Sequence, residues 1–303
     1  MNRKTIAIIA GAAVAVIAVA IALIVVFKKG DNYRLLKLFE FEGTGKVTRE
    51  SKGDITPYTN MVLESGDMIS LDTGTMTIQA DEDKFIHLDE HTTIKLVATG
   101  TSANSKTSIE LLEGGITSDI RNKLSADSTY EINTPNSAMS VRGTVFYTFV
   151  YEVDGIKYTR ICCFEGEVET NRVYKDGTTD IAPVSVPMGK EVIIYEDGTV
   201  VDYLTDDPQD IDYNTLPDET LIELRKTIDS TGKDFSITSD EITKILEGPY
   251  TVTFTYNGIE FATQIVEKGK KAQVPALSPS PTGGWDFNFS KTIERDTTIE
   301  WKE

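Results

Sequence analysis

The stretch Thr134–Val150, TPNSAMSVRGTVFYTFV, decides the fold class of this chain. Alternate residues of a strand share one face, so a single strand here would place on one face Met139, Val141, Gly143, Val145, Tyr147, Phe149 and Tyr151. The opposite face would carry Ser140, Arg142, Thr144 and Thr148, interrupted only by Phe146. The pattern therefore predicts one long strand, and the Arg-Gly pair at its centre has to serve either packing or binding.

Short alternations of apolar and polar residues extend from Lys46 to Leu204, separated by Gly, Asp, Asn and Pro. No amphipathic helical pattern comes between them, which indicates an all-β unit: a sandwich, a barrel or a solenoid. The pair Asp197-Gly198, in EVIIYEDGTVVDYL, is a two-residue hairpin signal inside this unit.

The composition changes after this unit. Thr205–Asp218 is acidic and contains proline, which is typical of a linker. Pro217–Ile228 then predicts a helix with acidic residues in its first turn. A second, short helix is predicted over Asp240–Leu246, with Ser239 as its N-cap and Gly248 as its stop.

An unbroken apolar run, Ile6–Phe27, lies near the start of the sequence. About 22 helical residues span roughly 33 Å, which is enough to cross the hydrocarbon core of a bilayer. A cleaved signal peptide is the alternative, with Ala18-Val19-Ala20 as its cleavage site. The apolar sequence continues beyond that site, however. We therefore predict an uncleaved transmembrane helix. Basic residues flank both ends, so charge alone leaves its orientation open.

The chain of 303 residues has a formal net charge of −18. The first thirty residues contain four basic residues and no acid, so the remainder carries 26 basic against 48 acidic residues. Such a surface repels phosphate backbones and anionic lipid head groups, which disfavours binding to nucleic acid. Cations, basic proteins or neutral polymers are the partners that this charge favours.

Cys162 and Cys163 are the only cysteines of the chain. Neighbouring residues of a strand point to opposite faces, so a disulfide between them would need a distorted backbone. We expect two buried structural thiols and not a redox pair.

Two patterns resemble metal sites. His87, Asp89 and His91 would share one face of a strand and could hold zinc or iron, although a solvated strand face has the same pattern. Asp229–Glu241 has the length of a calcium loop, but Lys233 falls at a ligand position. The sequence also lacks a P-loop, a G-x-G-x-x-G motif and a G-x-S-x-G motif. We expect no metal, no cofactor and no enzymatic activity.

The residues of the opening stretch suggest separate roles. Thr134 and Pro135 begin the strand with a turn. Gly143 lies on the apolar face, which indicates a bulge or the close approach of another backbone. Arg142 points the other way, and two interpretations remain open: an ion pair that locks the strand, which we favour, or recognition of a ligand.

The segment Leu111–Val150 resembles the FecR family. The resemblance is carried by LLEGGITSDI, by TPNSAMSVRGTVFYTFV and by the later FEGEVET and VPMGKEVIIYEDGTV, and it extends over about Met61–Tyr203. It implies an antiparallel β solenoid or roll outside the cytoplasm. The motif residues with a structural role, or a role in recognition, are Thr134, Pro135, Val141, Arg142, Gly143, Thr144 and Phe146.

Well-studied proteins that this segment is similar to are transmembrane regulators, in which an N-terminal cytoplasmic domain controls a sigma factor. Here only Met1–Thr5 precede the predicted span, so we do not expect direct control of a sigma factor. The resemblance supplies the missing orientation: the N-terminus inside and the bulk of the chain extracytoplasmic.

The segment Tyr250–Lys302 resembles a Listeria–Bacteroides repeat, the B-repeat of internalin-type surface proteins. YTVTFTYNGIEFATQIVEKGKKAQVP carries the resemblance, with a hairpin signal at Asn257-Gly258. The usual aromatic segment is replaced by GGWDFNFS, so we expect Trp285 and Phe287 to rebuild that corner. The resemblance implies a small β-grasp-like spacer or adhesion module on the surface of a Gram-positive bacterium.

The sequence therefore predicts a mainly β, single-pass membrane protein that binds, scaffolds or senses without catalysis. The alternative is a transmembrane signalling regulator of the FecR type that acts through a separate membrane partner. The expected partners are the membrane and an envelope protein or polymer, and no nucleic acid. The expected parts are a membrane anchor (1–30), a juxtamembrane segment (31–45), a FecR-like β domain (46–204), an acidic linker with a helical connector (205–248) and a B-repeat-like domain (249–303).

Overall fold

The computed structural model describes residues 34–101, 104–180, 182–196, 203–205 and 207–303. The predicted anchor Ile6–Phe27 and the Asp197-Gly198 hairpin lie outside the described residues. Within the described ranges, no helix combines the length and the apolar character needed to cross a bilayer. The described chain is mainly β, as predicted.

Fifteen strands form the first sheet: β1 (Leu36–Arg49), β2 (Gly53–Ile55), β3 (Met68–Ala80), β4 (Lys84–Leu88), β5 (Thr92–Gly100), β6 (Ser105–Ile120), β7 (Thr129–Asn133), β8 (Ser137–Val141), β9 (Val145–Val153), β10 (Ile156–Glu165), β11 (Glu167–Arg172), β12 (Val184–Pro187), β13 (Lys190–Glu196), β14 (Tyr203–Thr205) and β15 (Gln209–Asp210). The main path through the sheet is β12-β11-β8-β7-β6-β4-β3-β1-β2. The strands β5, β9, β10, β13, β14 and β15 pair off this path, with β9 joined to β6 and β10.

The opening stretch forms two strands, so the prediction of one long strand was wrong. β8 ends at Val141 and β9 begins at Val145, with φ of +102° at Gly143 between them. β8 pairs with β7 and β11, whereas β9 pairs with β6 and β10. The residues between β8 and β9 thus move the chain from one part of the sheet to another.

One strand pair of this sheet is parallel, which differs from the expected antiparallel arrangement. Lys106–Glu110 of β6 lies beside Thr129–Asn133 of β7 in parallel register. Parallel neighbours need a crossover connection. Here the crossover consists of the second half of β6, which pairs with β4 and β9, and of residues 121–128, which lead to the start of β7.

The helices α1 (Asp218–Thr231) and α2 (Ser239–Glu247) follow, as predicted. The N-cap of α2 is Thr238 and not Ser239, because the glutamate that completes a capping box lies three residues after Thr238. Thr238 Oγ1 accepts from the Glu241 N–H at 3.3 Å, and the Glu241 carboxylate accepts from the Thr238 N–H at 2.9 Å. Gly248 ends the helix, as expected.

The described residues form three hydrophobic clusters. The first lies within the fifteen-stranded sheet and includes Phe146 and Cys163. The second joins the opposite face of β9 and β10, at Tyr147 and Cys162, to residues of α1 and α2 such as Leu224. The helical connector therefore packs on the sheet and covers one face of it.

The expected arrangement of the two cysteines is confirmed. Their side chains face different clusters, both thiols are free, and both are fully buried. Burial raises the pKa of the Cys163 thiol to about 12 and that of the Cys162 thiol well above its ordinary range.

The C-terminal part is a separate four-stranded sheet with its own cluster. It contains β16 (Tyr250–Tyr256), β17 (Ile259–Val266), β18 (Gly284–Trp285) and β19 (Thr297–Lys302), in the order β17-β16-β19-β18. β16 and β19 are parallel. The predicted hairpin at Asn257-Gly258 is confirmed, with φ of +52° and +74°.

Aromatic rings pack against one another in this sheet. Trp285 packs edge-on against Phe254 and Trp301, with ring centroids 5.0 and 5.1 Å apart, and Phe287 packs against Phe289 at 5.4 Å. Phe254 belongs to the third cluster, and Trp285, Phe287 and Phe289 pack against it.

Candidate functional site

Arg142, Gly143 and Thr144 lie at the rim of a cavity of about 630 Å³. β7, β8 and β11 form one wall, where Ser140 lies directly opposite Glu131 of β7 and Glu169 of β11. Glu167 also lines the cavity. The site therefore places one guanidinium, three carboxylates and several hydroxyl groups around one opening.

Arg142 is exposed and forms no ion pair with any residue that the structure describes. The interpretation of Arg142 as the partner in an ion pair that locks the strand was therefore wrong. The physical reason is its position: Arg142 follows the last residue of β8, where the chain turns, and its side chain is exposed there.

Gly143 confirms the predicted close approach of another backbone. A Cβ at this position would lie 3.0 Å from Lys123 Cα and 3.1 Å from the Asn122 carbonyl oxygen. The left-handed φ of +102° is a second reason for glycine. The loop between β6 and β7 consequently packs directly on the motif.

The other motif residues fix the ends of β8 and β9. Thr144 is buried and donates from Oγ1 to the Glu167 carbonyl oxygen at 3.1 Å. Phe146 is buried edge-on against Tyr130, with ring centroids 6.5 Å apart, and Val141 is also buried. These side chains hold the fold, whereas Arg142 is exposed.

The Thr-Pro turn is held by a residue that the sequence reasoning missed. Asn136 is buried, and its Nδ2 donates to the carbonyl oxygens of Lys157 and Ile194, both at 3.1 Å. Thr134 shares a hydrogen bond of 2.9 Å with the Thr159 hydroxyl. Pro135 is exposed and lies between these two anchored residues. The sequence signal for this role was the position of Asn136, two residues after Thr134 in a predicted turn.

His87, Asp89 and His91 are not brought together. β4 ends at Leu88, and His91 is exposed in a turn with φ of +59°. His87 Nδ1 lies 2.9 Å from Thr77 Oγ1 and 3.4 Å from a carboxylate oxygen of Glu223 in α1. Among the residues with described positions, no group of three His, Cys, Asp or Glu side chains is arranged to hold a metal ion.

Asp89 instead joins the sheet to α1. Its carboxylate accepts from the Tyr147 hydroxyl at 2.7 Å and from Thr220 Oγ1 of α1 at 3.2 Å. Gly115 makes room for this contact, because a Cβ there would lie 2.4 Å from Asp89 Oδ2 and 2.5 Å from the Tyr147 hydroxyl oxygen. Sequence reasoning could not pair Asp89 with Thr220, since 131 residues separate them.

Burial controls the ionisation of this interface. Desolvation raises the pKa of Asp89 to about 6, against the opposing effect of the hydrogen bonds from Tyr147 and Thr220. Desolvation also lowers the pKa of His87 and raises that of Tyr147. The perturbed groups of this interface therefore belong to helix packing, and they lie apart from the cavity at Arg142.

Gly143→Ala should destabilise the protein by about 1–3 kcal/mol more than Gly155→Ala. Both glycines have a left-handed φ, but a Cβ at Gly155 meets no atom within 4 Å. The control therefore carries the backbone strain without the clash against Lys123. Urea unfolding of the two variants measures the difference. Equal losses of unfolding free energy would show that the loop at Lys123 moves aside without a cost in stability.

Asp89→Asn should change the pH dependence of stability. Because the folded pKa is raised from 3.8 to about 6, Asp89 contributes stability that is complete below about pH 4 and is lost as pH rises through 6. The variant stays neutral, so its unfolding free energy relative to wild type should rise by roughly 2 kcal/mol between pH 4 and 7. Urea unfolding at several pH values tests this.

Asp176→Asn is the control of opposite sign. Hydrogen bonds from Thr178 lower the pKa of Asp176, which is exposed, so its contribution is present at neutral pH and is lost as pH falls. A profile of Asp89→Asn that runs parallel to wild type would contradict the raised pKa.

Comparison with known proteins finds one family match and similar solved structures over part of the chain. Residues 63–169 match the model of the FecR protein family. Two crystal structures of a candidate anti-sigma factor from Parabacteroides distasonis ATCC 8503, at 1.65 and 2.50 Å resolution, are each 16% identical over 46% of this chain, with a TM-score of 0.35. The chain spans 59% of the length of that protein. No curated protein matches the sequence. The resemblance predicted for Met61–Tyr203 is thus confirmed for residues 63–169, the part of the chain that the family model matches.

Proposed function

We propose that this protein is a non-enzymatic binding protein of the bacterial envelope that scaffolds or senses a partner. In this proposal Ile6–Phe27 anchors the chain in the cell membrane as a single span, and the bulk of the chain lies outside the cytoplasm. The match of residues 63–169 to the FecR family supports a binding role for the β domain.

The observation that carries the proposal is the state of Arg142. A guanidinium forms strong bidentate hydrogen bonds with carboxylates. The chain has 48 acidic residues, yet Arg142 is exposed and has no ion-pair partner in the described part. Its hydrogen-bonding capacity is therefore available to a partner at the rim of the cavity.

The other groups around the cavity define the partner further. Glu131, Glu167 and Glu169 outnumber the single guanidinium, so the opening is acidic with one basic corner. A protein segment that carries both a carboxylate and an amine matches this distribution. A nucleic acid does not, because its phosphates would meet three carboxylates.

The C-terminal residues 249–303 complete the proposal as a spacer or adhesion module of the Listeria–Bacteroides repeat type. Its supports are the separate four-stranded sheet, the parallel pair β16 and β19, and the corner built by Trp285. Lys268 Nζ and Arg295 bond carbonyl oxygens of α2, at 2.7 and 3.1 Å, and so attach the module to the helices.

A transmembrane signalling regulator of the FecR type is the second candidate. The family match of residues 63–169 favours it, and it would act through a separate membrane partner. Partner binding at the same cavity would then be the input of the signal.

Arg142→Ala should abolish contact with the partner and leave the fold intact. A photo-crosslinking amino acid at Ser140, inside the cavity, should trap a discrete partner when the full chain is expressed in its own cell. The same substitution at Thr73, exposed on β3, is the positional control. Arg142→Ala should remove the Ser140 product, Lys52→Ala should not, and neither should change the melting temperature by more than about 1 °C.

A Ser140 product that survives Arg142→Ala would assign recognition to other residues. A lower melting temperature in Arg142→Ala would return this residue to a structural role.

Protease added to intact cells without a wall should remove most of the chain, because the proposal places residues 31–303 outside. Replacement of Ile6–Phe27 by an unrelated anchor then separates the two functions. A binding protein keeps the Ser140 product and its effect, whereas a regulator that contacts its membrane partner through its native span loses the transcriptional response. A chain that is digested only after lysis would contradict the proposed topology.

A further inference from the structure

Leu112 is an apolar side chain that the fold turns towards solvent. Thr93 of β5 lies opposite Glu113 of β6, and Ile94 lies opposite Leu111, so Leu112 is the extra residue of a β-bulge. Its side chain is 40% exposed, between buried Leu111 and exposed Glu113. Bulges re-aim side chains and are enriched beside functional sites. The bulge therefore gives a physical cause for an exposed leucine in the middle of a long strand.

A cleft of about 500 Å³ lies beside this leucine. β6 pairs with β9 only as far as the pair Gly114 and Val150, and beyond it the two strands enclose an opening. Phe149 and Tyr151 form its apolar wall, stacked with ring centroids 5.2 Å apart. Together with Leu112 they provide an apolar surface large enough for one aliphatic side chain.

The charged residues of this cleft are mainly acidic. Glu113 and Glu152 are exposed and form no ion pair with described residues, whereas Glu90 accepts a hydrogen bond from the Gly74 N–H at 2.6 Å. Lys157 is the lysine of the cleft, against these three glutamates. An incoming segment is therefore favoured when it brings positive charge beside its apolar side chain.

We propose that the cleft at Leu112 is a docking site for an extended segment of a partner protein in which an aliphatic side chain is flanked by basic residues. The aliphatic side chain packs on Leu112, Phe149 and Tyr151, and the flanking ammonium or guanidinium groups lie near Glu113 and Glu152. Charge complementarity selects this occupant over an acidic segment or a nucleic acid.

This surface is distinct from the cavity at Arg142. Arg142 precedes the start of β9 at Val145, and Tyr151 lies near the end of the same strand, so about 20 Å of strand lies between the two sites. The two sites can therefore be tested independently, and the failure of one does not imply the failure of the other.

The test uses the purified full chain in detergent micelles and three fluorescent peptides of nine residues. The first has a central leucine flanked by lysines, the second has the same leucine flanked by glutamates, and the third has serine in place of leucine between lysines. Fluorescence anisotropy gives the Kd of each. We expect the first peptide to bind at least tenfold more tightly than either of the others.

Variants of the full chain locate the binding. Leu112→Asp should raise the Kd of the first peptide by about tenfold or more. Leu277→Asp, at a residue that is 74% exposed, should bind this peptide with the wild-type Kd. The double variant Glu113→Gln and Glu152→Gln should weaken the peptide and reduce the salt dependence of its Kd.

Equal affinity for the serine peptide would overturn the proposal, since binding would then be general attraction to an acidic surface. Unchanged binding in Leu112→Asp would overturn it as well. Melting temperatures of all variants accompany the measurements. A Leu112→Asp variant that does not fold is replaced by Leu112→Ser, for which the same loss is required.

Discussion

Strands β9 and β10 carry apolar side chains on both faces, so each strand has to be covered twice. Phe146 and Cys163 point into the cluster inside the sheet, whereas Tyr147 and Cys162 point to the opposite side. Without a cover, the large apolar area on that second side would be exposed to water. The helices α1 and α2 provide the cover, and the FecR domain is consequently built together with the segment that follows it.

Polar groups set the position of α1 within this cover. Thr220 meets Asp89, and Glu223, on the same face of the helix, meets His87. Gly115 leaves the space in which Asp89 and Tyr147 touch. Desolvation of Asp89 opposes folding at neutral pH, so this contact specifies where the helix lies more than it stabilises the fold. The glycines of the family motif thus serve packing at two places, Gly115 under the helix and Gly143 under the loop of Lys123.

Local patterns in the sequence were sufficient for the mainly β class, for both helices, for the hairpin at Asn257-Gly258 and for the opposed thiols. Each of these depends on residues that are close together in the chain. The break between β8 and β9 could not be predicted in this way, because Gly143 fits a strand pattern and only its φ and the backbone of Lys123 reveal the turn. The state of Arg142 was mispredicted for the same reason: the strand pattern hides the turn that leaves its side chain exposed. The parallel pair of β6 and β7 depends on tertiary pairing that a single sequence does not show.

The two adjacent cysteines have a consequence of their own. Each thiol is sealed into a different core, and burial keeps both protonated at neutral pH, so neither is open to oxidants or alkylating reagents while the cores are closed. The two thiols should therefore become reactive after different structural changes. Cys162 is exposed when the helices separate from the sheet, and Cys163 is exposed when the strands of the sheet separate. The chain thus contains two chemical reporters, one residue apart, that distinguish partial from global unfolding.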